Sequence, residues 1–284
     1  MNLKQAVQQK QIDRFEMMTL AEQIYALNMS GKGIDSVNNI DFEDKKFVFL
    51  KTINIKKKEV LLCLSNILME ILVSTDKRLT SIFINHYLAC LNNIRAYKYL
   101  PKSHRKPILI ACGGLSGSGK SRIAREIAPL LNQPFGAIII RDDIVRKQLA
   151  NVSFDTSLDD SYYTQENEKK VYREMRKQAK HALEAGHTVI LDALFYDSKE
   201  RKNAQALAEK RKIHFEGFWM TASLETRAER VQTRLNNPSD IKTQRALQEQ
   251  LSRNTGVVWW QVINTEGVRE KSVSKAMRYL KKYL

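Results

Sequence analysis

The apolar positions of this chain follow two rhythms. In the first hundred residues they recur at helical spacing: Val60, Leu61, Leu64, Leu68, Ile71 and Leu72, then Leu79, Ile82, Phe83, Tyr87, Cys90, Leu91 and Ile94 behind a Ser74-Thr75-Asp76 capping stretch. Between and before them the Gly31-Lys32-Gly33 neighbourhood and the acidic DFED at 41–44 read as loops. A polar, proline-flanked connector, PKSHRKP at 101–107, closes this region. From Ile108 onward short apolar runs alternate with longer amphipathic ones. Strands are predicted at ILIAC (108–112), AIII (137–140), TVILDA (188–193), HFEGFWM (214–220) and VWWQVI (258–263). Helices are predicted at about 120–132, 164–185 closed by Gly186, 198–212, 223–235, 241–252 and 269–283. Strand-helix alternation at this spacing predicts an α/β fold with a five-stranded, mostly parallel sheet covered by helices on both faces. The expected organisation is an α-helical N-terminal region (1–100), a linker (101–107) and an α/β domain (108–284).

Composition narrows the class. The greasiest run, VLLCLSNILMEILV at 60–73, holds Glu70 and falls short of the roughly twenty apolar residues a bilayer span needs. The polar N-terminus, MNLKQAVQQKQIDRFEMM, has no signal-peptide core. Cys63, Cys90 and Cys112 are odd in number and show no metal-site spacing. A soluble, cytoplasmic chain without structural zinc and without a membrane partner is expected. The formal net charge of +16 is spread out: residues 1–106 hold 17 basic against 10 acidic side chains, and the remainder 30 against 21. A diffuse excess reads as a solubility trait more readily than as a nucleic-acid footprint, so nucleic acid is a secondary candidate partner. No feature of the sequence sets an oligomeric state.

The chemistry is concentrated at GGLSGSGKSRIAREI (113–127). Gly114, Gly119, Lys120 and Ser121 complete G-x-x-x-x-G-K-[ST] between a predicted strand and a predicted helix. Gly117 and the small Ser116 and Ser118 let the backbone wrap closely enough to aim N–H groups at phosphate oxygens. The helix that follows adds its positive N-terminus. Lys120 is expected at the β- and γ-phosphates of ATP and the Ser121 hydroxyl on Mg²⁺. The N-K-x-D element of a GTPase and the acidic pair of a motor ATPase are both absent, for Asp192 is followed by Ala193.

Three further features suggest phosphoryl transfer. Strand AIII runs into Arg141-Asp142-Asp143 with Arg146 beyond, which places a carboxylate and a guanidinium at the end of the strand where α/β sheets bind ligands. Asp143 suits the base that orients an acceptor hydroxyl, and Arg146 suits an anionic acceptor or the transferred group. Asp192 closes TVILD as a second crevice carboxylate, at Mg²⁺ or the acceptor. Arg227, Arg230 and Arg234 lie three and four residues apart before a polar break at Asn236-Asn237-Pro238, as a closing lid would need.

These residues carry a resemblance. GLSGSGKS, RDDIVRKQL, VYREMRKQAKHALEAG, VILDALF and the arginine stretch ending in PSD resemble small P-loop kinases usually found fused behind an aminoglycoside-phosphotransferase-like domain and often labelled AAA-family ATPases. More distantly the arrangement is similar to polynucleotide 5′-kinases, gluconate kinase, chloramphenicol phosphotransferase and zeta toxins. The resemblance covers about 107–270 and implies a P-loop NTPase fold and ATP-dependent transfer to a hydroxyl. It also implies that Asp143 rather than Asp142 is the base, and that Arg230 and Arg234 are lid arginines, Arg227 matching less well. The family's threonine after the P-loop serine is here Arg122, which puts a charge at the start of the helix beside the nucleotide. Its DATF is here Asp192-Ala193-Leu194-Phe195, one hydroxyl fewer. ILMEILVSTDKRLTSIFINHYL resembles the helical tail of the fused domain, whose H-G-D-x-x-x-x-N signature is absent. A small-molecule acceptor is the leading expectation. A polynucleotide 5′-hydroxyl, a toxin-like or host-directed target, and a non-catalytic nucleotide-binding module remain open.

Overall fold

The computed structural model describes residues 3–9, 12–30, 32–34, 40–44, 46–49, 53–54, 77–131, 134–154, 156–233 and 255–284. The predicted helix over 60–72 and the predicted 241–252 helix, with Arg234 and the Asn236-Pro238 break, lie outside the described residues.

The α/β part is a single five-stranded sheet. Its strands are β5 (Ile108–Gly113), β6 (Ile138–Arg141), β7 (Val189–Asp192), β8 (His214–Thr221) and β9 (Gln261–Asn264) in the order β6-β7-β5-β8-β9. Every described pairing among them is parallel, so the sheet is parallel throughout rather than mostly so. The apolar runs explain this burial. Side chains alternate along a strand, and in β5 Ile108, Ile110 and Cys112 enter one hydrophobic layer while Leu109 and Ala111 enter the other. The first layer is closed by α4 (Lys120–Ile127) and α9 (Arg269–Leu280), through Ile123, Ile127, Ala276 and Leu280. The second is closed by α6 (Gln165–Glu184) and α7 (Ser198–Glu209), through Val171, Met175, Ala204 and Ala208. The remaining helices of this part are α5 (Asp142–Ala150) and α8 (Leu224–Gln232). As predicted, α6 ends against Gly186, whose φ of 92° is the left-handed turn glycine tolerates. The last strand starts later than the expected 258, because the Trp260 ring folds over Gly113 and Gly217 and the ladder with β8 opens only at Gln261.

The N-terminal region contains α1 (Leu3–Gln8), α2 (Arg14–Met29) and α3 (Lys77–Leu91). It also contains strands, which corrects the loop reading of its polar segments. Lys32–Gly33 (β1) pairs with Ile53–Asn54 (β4), and Ile40–Glu43 (β2) pairs with Lys46–Phe49 (β3) in a hairpin that turns at Asp44. DFED is thus strand and turn. Ile40 and Phe42 are buried and alternate with Asp41 and Glu43, and that period of two outweighs the acidic composition.

Helix α2 starts at a capping box: the Asp13 carboxylate accepts from the Phe15 and Glu16 amides, and Glu16 accepts from the Asp13 amide. It packs on α3 through Tyr25 against Tyr87, edge to face at 6.3 Å, and Asn28 donates to the Tyr87 hydroxyl. Helix α3 in turn covers the open edge of the sheet. The Asn85 side chain accepts from the Ile139 amide at 2.6 Å and donates to the Ala137 carbonyl at 3.2 Å, standing in for the strand that β6 lacks. Among the described residues no helix is long and apolar enough to cross a membrane.

Candidate active site

The loop between β5 and α4 turns on three glycines in the positive-φ region, Gly114 (140°), Gly117 (80°) and Gly119 (88°). A methyl group at Gly117 would stand 2.5 Å from the Arg227 carbonyl, so glycine is required there for space as well as for conformation. The carbonyls of the loop are tied down from outside. Arg227 Nε donates to Ser116 O at 2.8 Å, Arg230 Nη1 to Gly117 O at 3.3 Å, and Thr265 Oγ1 to Ser118 O at 2.6 Å. With three successive carbonyls held outward and the Ser118 amide closing a turn on Leu115 O at 3.0 Å, the Gly117 and Gly119 amides are left to line a concave cradle, the geometry of an anion nest. Helix α4 adds its first turn, since Gly119 caps it with no side-chain acceptor. Lys120 is buried beside it and Ser121 is half-buried in the same turn. The Ser118 hydroxyl is buried without a hydrogen-bond partner, a polar atom still to be satisfied at the cradle.

A second anchor enters from the sheet. Gly114 N donates to Leu194 O at 3.1 Å, and Leu194 N donates to Asp142 Oδ2 at 3.3 Å. Asp142 also accepts from the Asp143 amide at 2.8 Å. Its carboxyl is pushed up to about 7, first by burial and then by its neighbours Asp143 and Asp192, against the pull of Lys120 and Arg146. Asp142 is therefore the deeply buried acid of the pair and Asp143 the half-buried one that faces out. Phe195 holds a positive φ of 50°, pinned by Tyr172 OH on its amide and by Arg201 on its carbonyl.

Arg141 lies between the two predicted carboxylates, with Nη2 3.5 Å from Asp143 Oδ2 and Nε 3.3 Å from Asp192 Oδ2. Asp192 is fully buried, and neither of its oxygens is a hydrogen-bond acceptor among the described residues. Arg146 is buried, donates to Tyr162 O at 2.8 Å and lies 4.5 Å over the Tyr163 ring. These contacts join it to the segment 153–165.

Of the residues singled out from the sequence, the structure brings Gly114, Ser116, Gly117, Ser118, Gly119, Lys120 and Ser121 into the cradle. Asp192 ends β7, and Asp143 and Arg146 lie in the first turns of α5, which follows β6 directly. Arg122 and Arg230 both donate to the Thr265 carbonyl, at 3.2 and 2.7 Å, so their guanidinium groups brace the cradle from behind in this structure. Asp142 enters the sequence reading only as the alternative to Asp143, and Thr265, Arg141 and the Tyr172–Phe195–Arg201 clamp are not among the residues it assigns to the site. Only for Asp142 and Arg141 was there a signal, their position at the end of a strand beside the P-loop.

A family model for an AAA domain matches residues 109–256, just over half of the chain. The chain belongs to this family. Family relatives described as uncharacterized proteins occur in Mycobacterium tuberculosis and Mycobacterium bovis, 33% identical over 180 residues, which is 61% of this chain and 34% of theirs. The chain thus spans about a third of the length of these curated relatives. Among solved structures, a putative kinase from Chloroflexus aurantiacus has a TM-score of 0.50 and 15% identity, covering 63% of this chain and all of its own. A gluconokinase from Sinorhizobium meliloti has a TM-score of 0.44 and 19% identity over 63% of this chain and 94% of its own. The family member described here has a kinase-like P-loop fold.

Proposed function

We propose that this protein is a Mg²⁺-ATP-dependent kinase that transfers the γ-phosphoryl group to a hydroxyl of a small molecule. The observation that carries the reading is the pairing of a phosphate cradle with a half-buried carboxylate, Asp143, at the end of the neighbouring crevice, one helical turn from Arg146. A phosphate cradle alone serves many reactions. A carboxylate and a guanidinium beside it supply what transfer to an alcohol requires: a group to orient and deprotonate the acceptor, and a cation for the charge being moved.

The residues fit the proposed donor and metal. The inward amides, Lys120 and the unpartnered Ser118 hydroxyl suit a triphosphate. Among the described residues no cluster of three or more His, Cys, Asp or Glu is arranged to hold a metal by itself. A magnesium ion does not need one, because it binds through few protein ligands and the phosphate oxygens themselves. Ser121 would hold it, with Asp192 behind. When bound, the ion would supply positive charge that offsets the charge of the phosphate tail.

This chain's own residues do the rest. Lys120 and the loop amides fix the phosphate tail so that the γ-phosphorus faces the crevice. Asp143 accepts the hydroxyl proton of the acceptor as its oxygen attacks, and the nucleotide leaves as the diphosphate. Arg146, held by Tyr162 O and Tyr163, positions the acceptor or an oxygen of the transferred group. Arg230 is the lid arginine of this reading, with Arg234 as its proposed second member. The released Thr265 and Gly117 contacts set what Arg230 must give up to move inward.

The test is consumption of ATP against a library of hydroxylated metabolites, each rate compared with that of Asp143→Asn. An acceptor that stimulates turnover in the native protein and not in the variant supports the reading. Calorimetry that detects no Mg²⁺-nucleotide binding by the purified chain overturns it.

A further inference from the structure

A second pocket lies where the N-terminal region meets the sheet edge, between α2, α3, α4 and β6, and encloses about 120 Å³. One water needs about 10–15 Å³ measured in the same way, so there is room for a ligand several times larger. Its walls are largely aliphatic, with Met18, Ile82, Leu88 and Ile140 among them. Among its polar lining residues are three arginines from three different elements, Arg14 of α2, Arg125 of α4 and Arg141 of β6, close enough for the other two to act on Arg125. Lys120, Asp143 and Arg146 do not line it.

Three like charges do not gather on one apolar pocket without a compensating anion. Burial, and then the proximity of Arg141 and Arg14, pulls Arg125 down to about 9. Neither Arg14 nor Arg125 has a hydrogen bond or ion pair with a carboxylate among the described residues. The acids of the same helices are engaged elsewhere. Asp13 and Glu16 close the capping box, Glu22 accepts from His86 at 2.6 Å, and Glu126 pairs with Arg78 and Arg269. Helix α3 carries no acidic residue at all. Arg141 has its compensation in Asp143 and Asp192, and Asp192 also acts on Arg125 from a distance. Among the described residues no carboxylate is in contact with Arg14 or Arg125, while the apolar walls leave space for the body of a molecule that brings one.

We infer that this pocket binds a small amphiphilic anion, a carboxylate or phosphate head on a short apolar body, with the head seated among Arg14, Arg125 and Arg141. Planar guanidinium forks match either head in bidentate fashion. Arg141 belongs to both places, since its other contacts are Asp143 and Asp192. Occupancy of the pocket is therefore felt at the carboxylates of the crevice. The binding itself stands whether or not the phosphate cradle supports turnover.

The probes are hexanoate, hexyl phosphate and, as the neutral control, hexanol, titrated into the full chain and followed by methyl NMR of Ile140 and Ile144 and by calorimetry. The anions are expected to bind at least about tenfold more tightly than hexanol, the equivalent of one charge-assisted pair. Arg125→Gln and Arg14→Gln should each weaken the better anion by about tenfold and leave hexanol unchanged. Comparison of hexanoate with hexyl phosphate tells which head the site prefers. Arg14 starts a helix at the rim, so Arg14→Gln keeps the test valid if Arg125→Gln melts without ligand. Equal binding of hexanol and hexanoate, unchanged anion affinity in a folded variant, or no binding of either anion at millimolar concentration overturns the inference.

Discussion

Arg227 and Ser116 are 111 residues apart, yet the guanidinium of one fixes the peptide plane of the other through a 2.8 Å hydrogen bond. With Arg230 on Gly117 O and Thr265 on Ser118 O, it turns the loop carbonyls away from the cradle. A phosphate loop is usually described by its glycines, which permit the turn. Here the direction of the amides is imposed by side chains from α8 and from the end of β9.

Arg227→Ala should accordingly weaken nucleotide binding without touching the phosphates directly. The variant leaves a buried carbonyl unpaired and frees the loop to rotate. A roughly tenfold rise in the Kd for Mg²⁺-ATP is expected, about 1.4 kcal/mol. Calorimetry on the folded variant measures it, and an unchanged Kd would show that the glycine geometry suffices.

Asp143→Asn should separate binding from chemistry. The side chain lies outside the cradle, so ATP affinity is expected to change by no more than about twofold to threefold, whereas transfer falls by about 10²–10⁴, the usual contribution of a general base. Single-turnover transfer to the acceptor found by the metabolite screen reads the second quantity. Transfer that survives the change would hand the base role to Asp142, the more buried neighbour.

Much of this was legible in the sequence for one reason: parallel strands buried on both faces need uninterrupted apolar runs, and each of the five announces itself. The phosphate loop was equally plain, because its glycines meet a local demand of the backbone. Thr265 was invisible, since its partner Ser118 is 147 residues away and a single buried threonine leaves no pattern. The β2–β3 hairpin misled for the opposite reason. Its alternation, Ile40 and Phe42 in against Asp41 and Glu43 out, is clear once paired but too short to compete with an acidic, loop-like composition. Asp142 and Asp143 are chemically identical in sequence, and only the fold separates the one that accepts the Leu194 amide from the one that meets Arg141.

Asp142 also gives the protein a signature in pH. The folded protein takes up this proton below about 7, whereas the ordinary carboxyl value is 3.8. Between these values the native state binds more protons than the unfolded chain, so this group's contribution to stability is full below the lower value and is lost as pH rises through the upper one. Asp142→Asn carries no such proton. The difference in Tm between the native protein and the variant should therefore move against the native protein as pH is raised from about 4 to about 8. Thermal melts by circular dichroism across that range decide it, and parallel curves would mean that the Asp142 carboxyl is ionised throughout.

The edge of the sheet provides the last test. Asn85 meets two backbone groups of a strand edge at once, accepting from Ile139 N and donating to Ala137 O. Replacing it by alanine leaves both without a partner, at about 1–3 kcal/mol each where water cannot reach them. Asn85→Asp keeps the acceptor for Ile139 N and loses the donor to Ala137 O and Ser81 O, so one of the two edge groups stays paired, and the charge it adds shares a pocket with Arg14, Arg125 and Arg141. The expected order of Tm is native above Asn85→Asp above Asn85→Ala. Hydrogen exchange adds a residue-level check: the Ile139 amide should keep its protection in the aspartate variant and lose it in the alanine one. If alanine leaves that amide protected, α3 shields the edge by packing alone and the side-chain bridge is incidental.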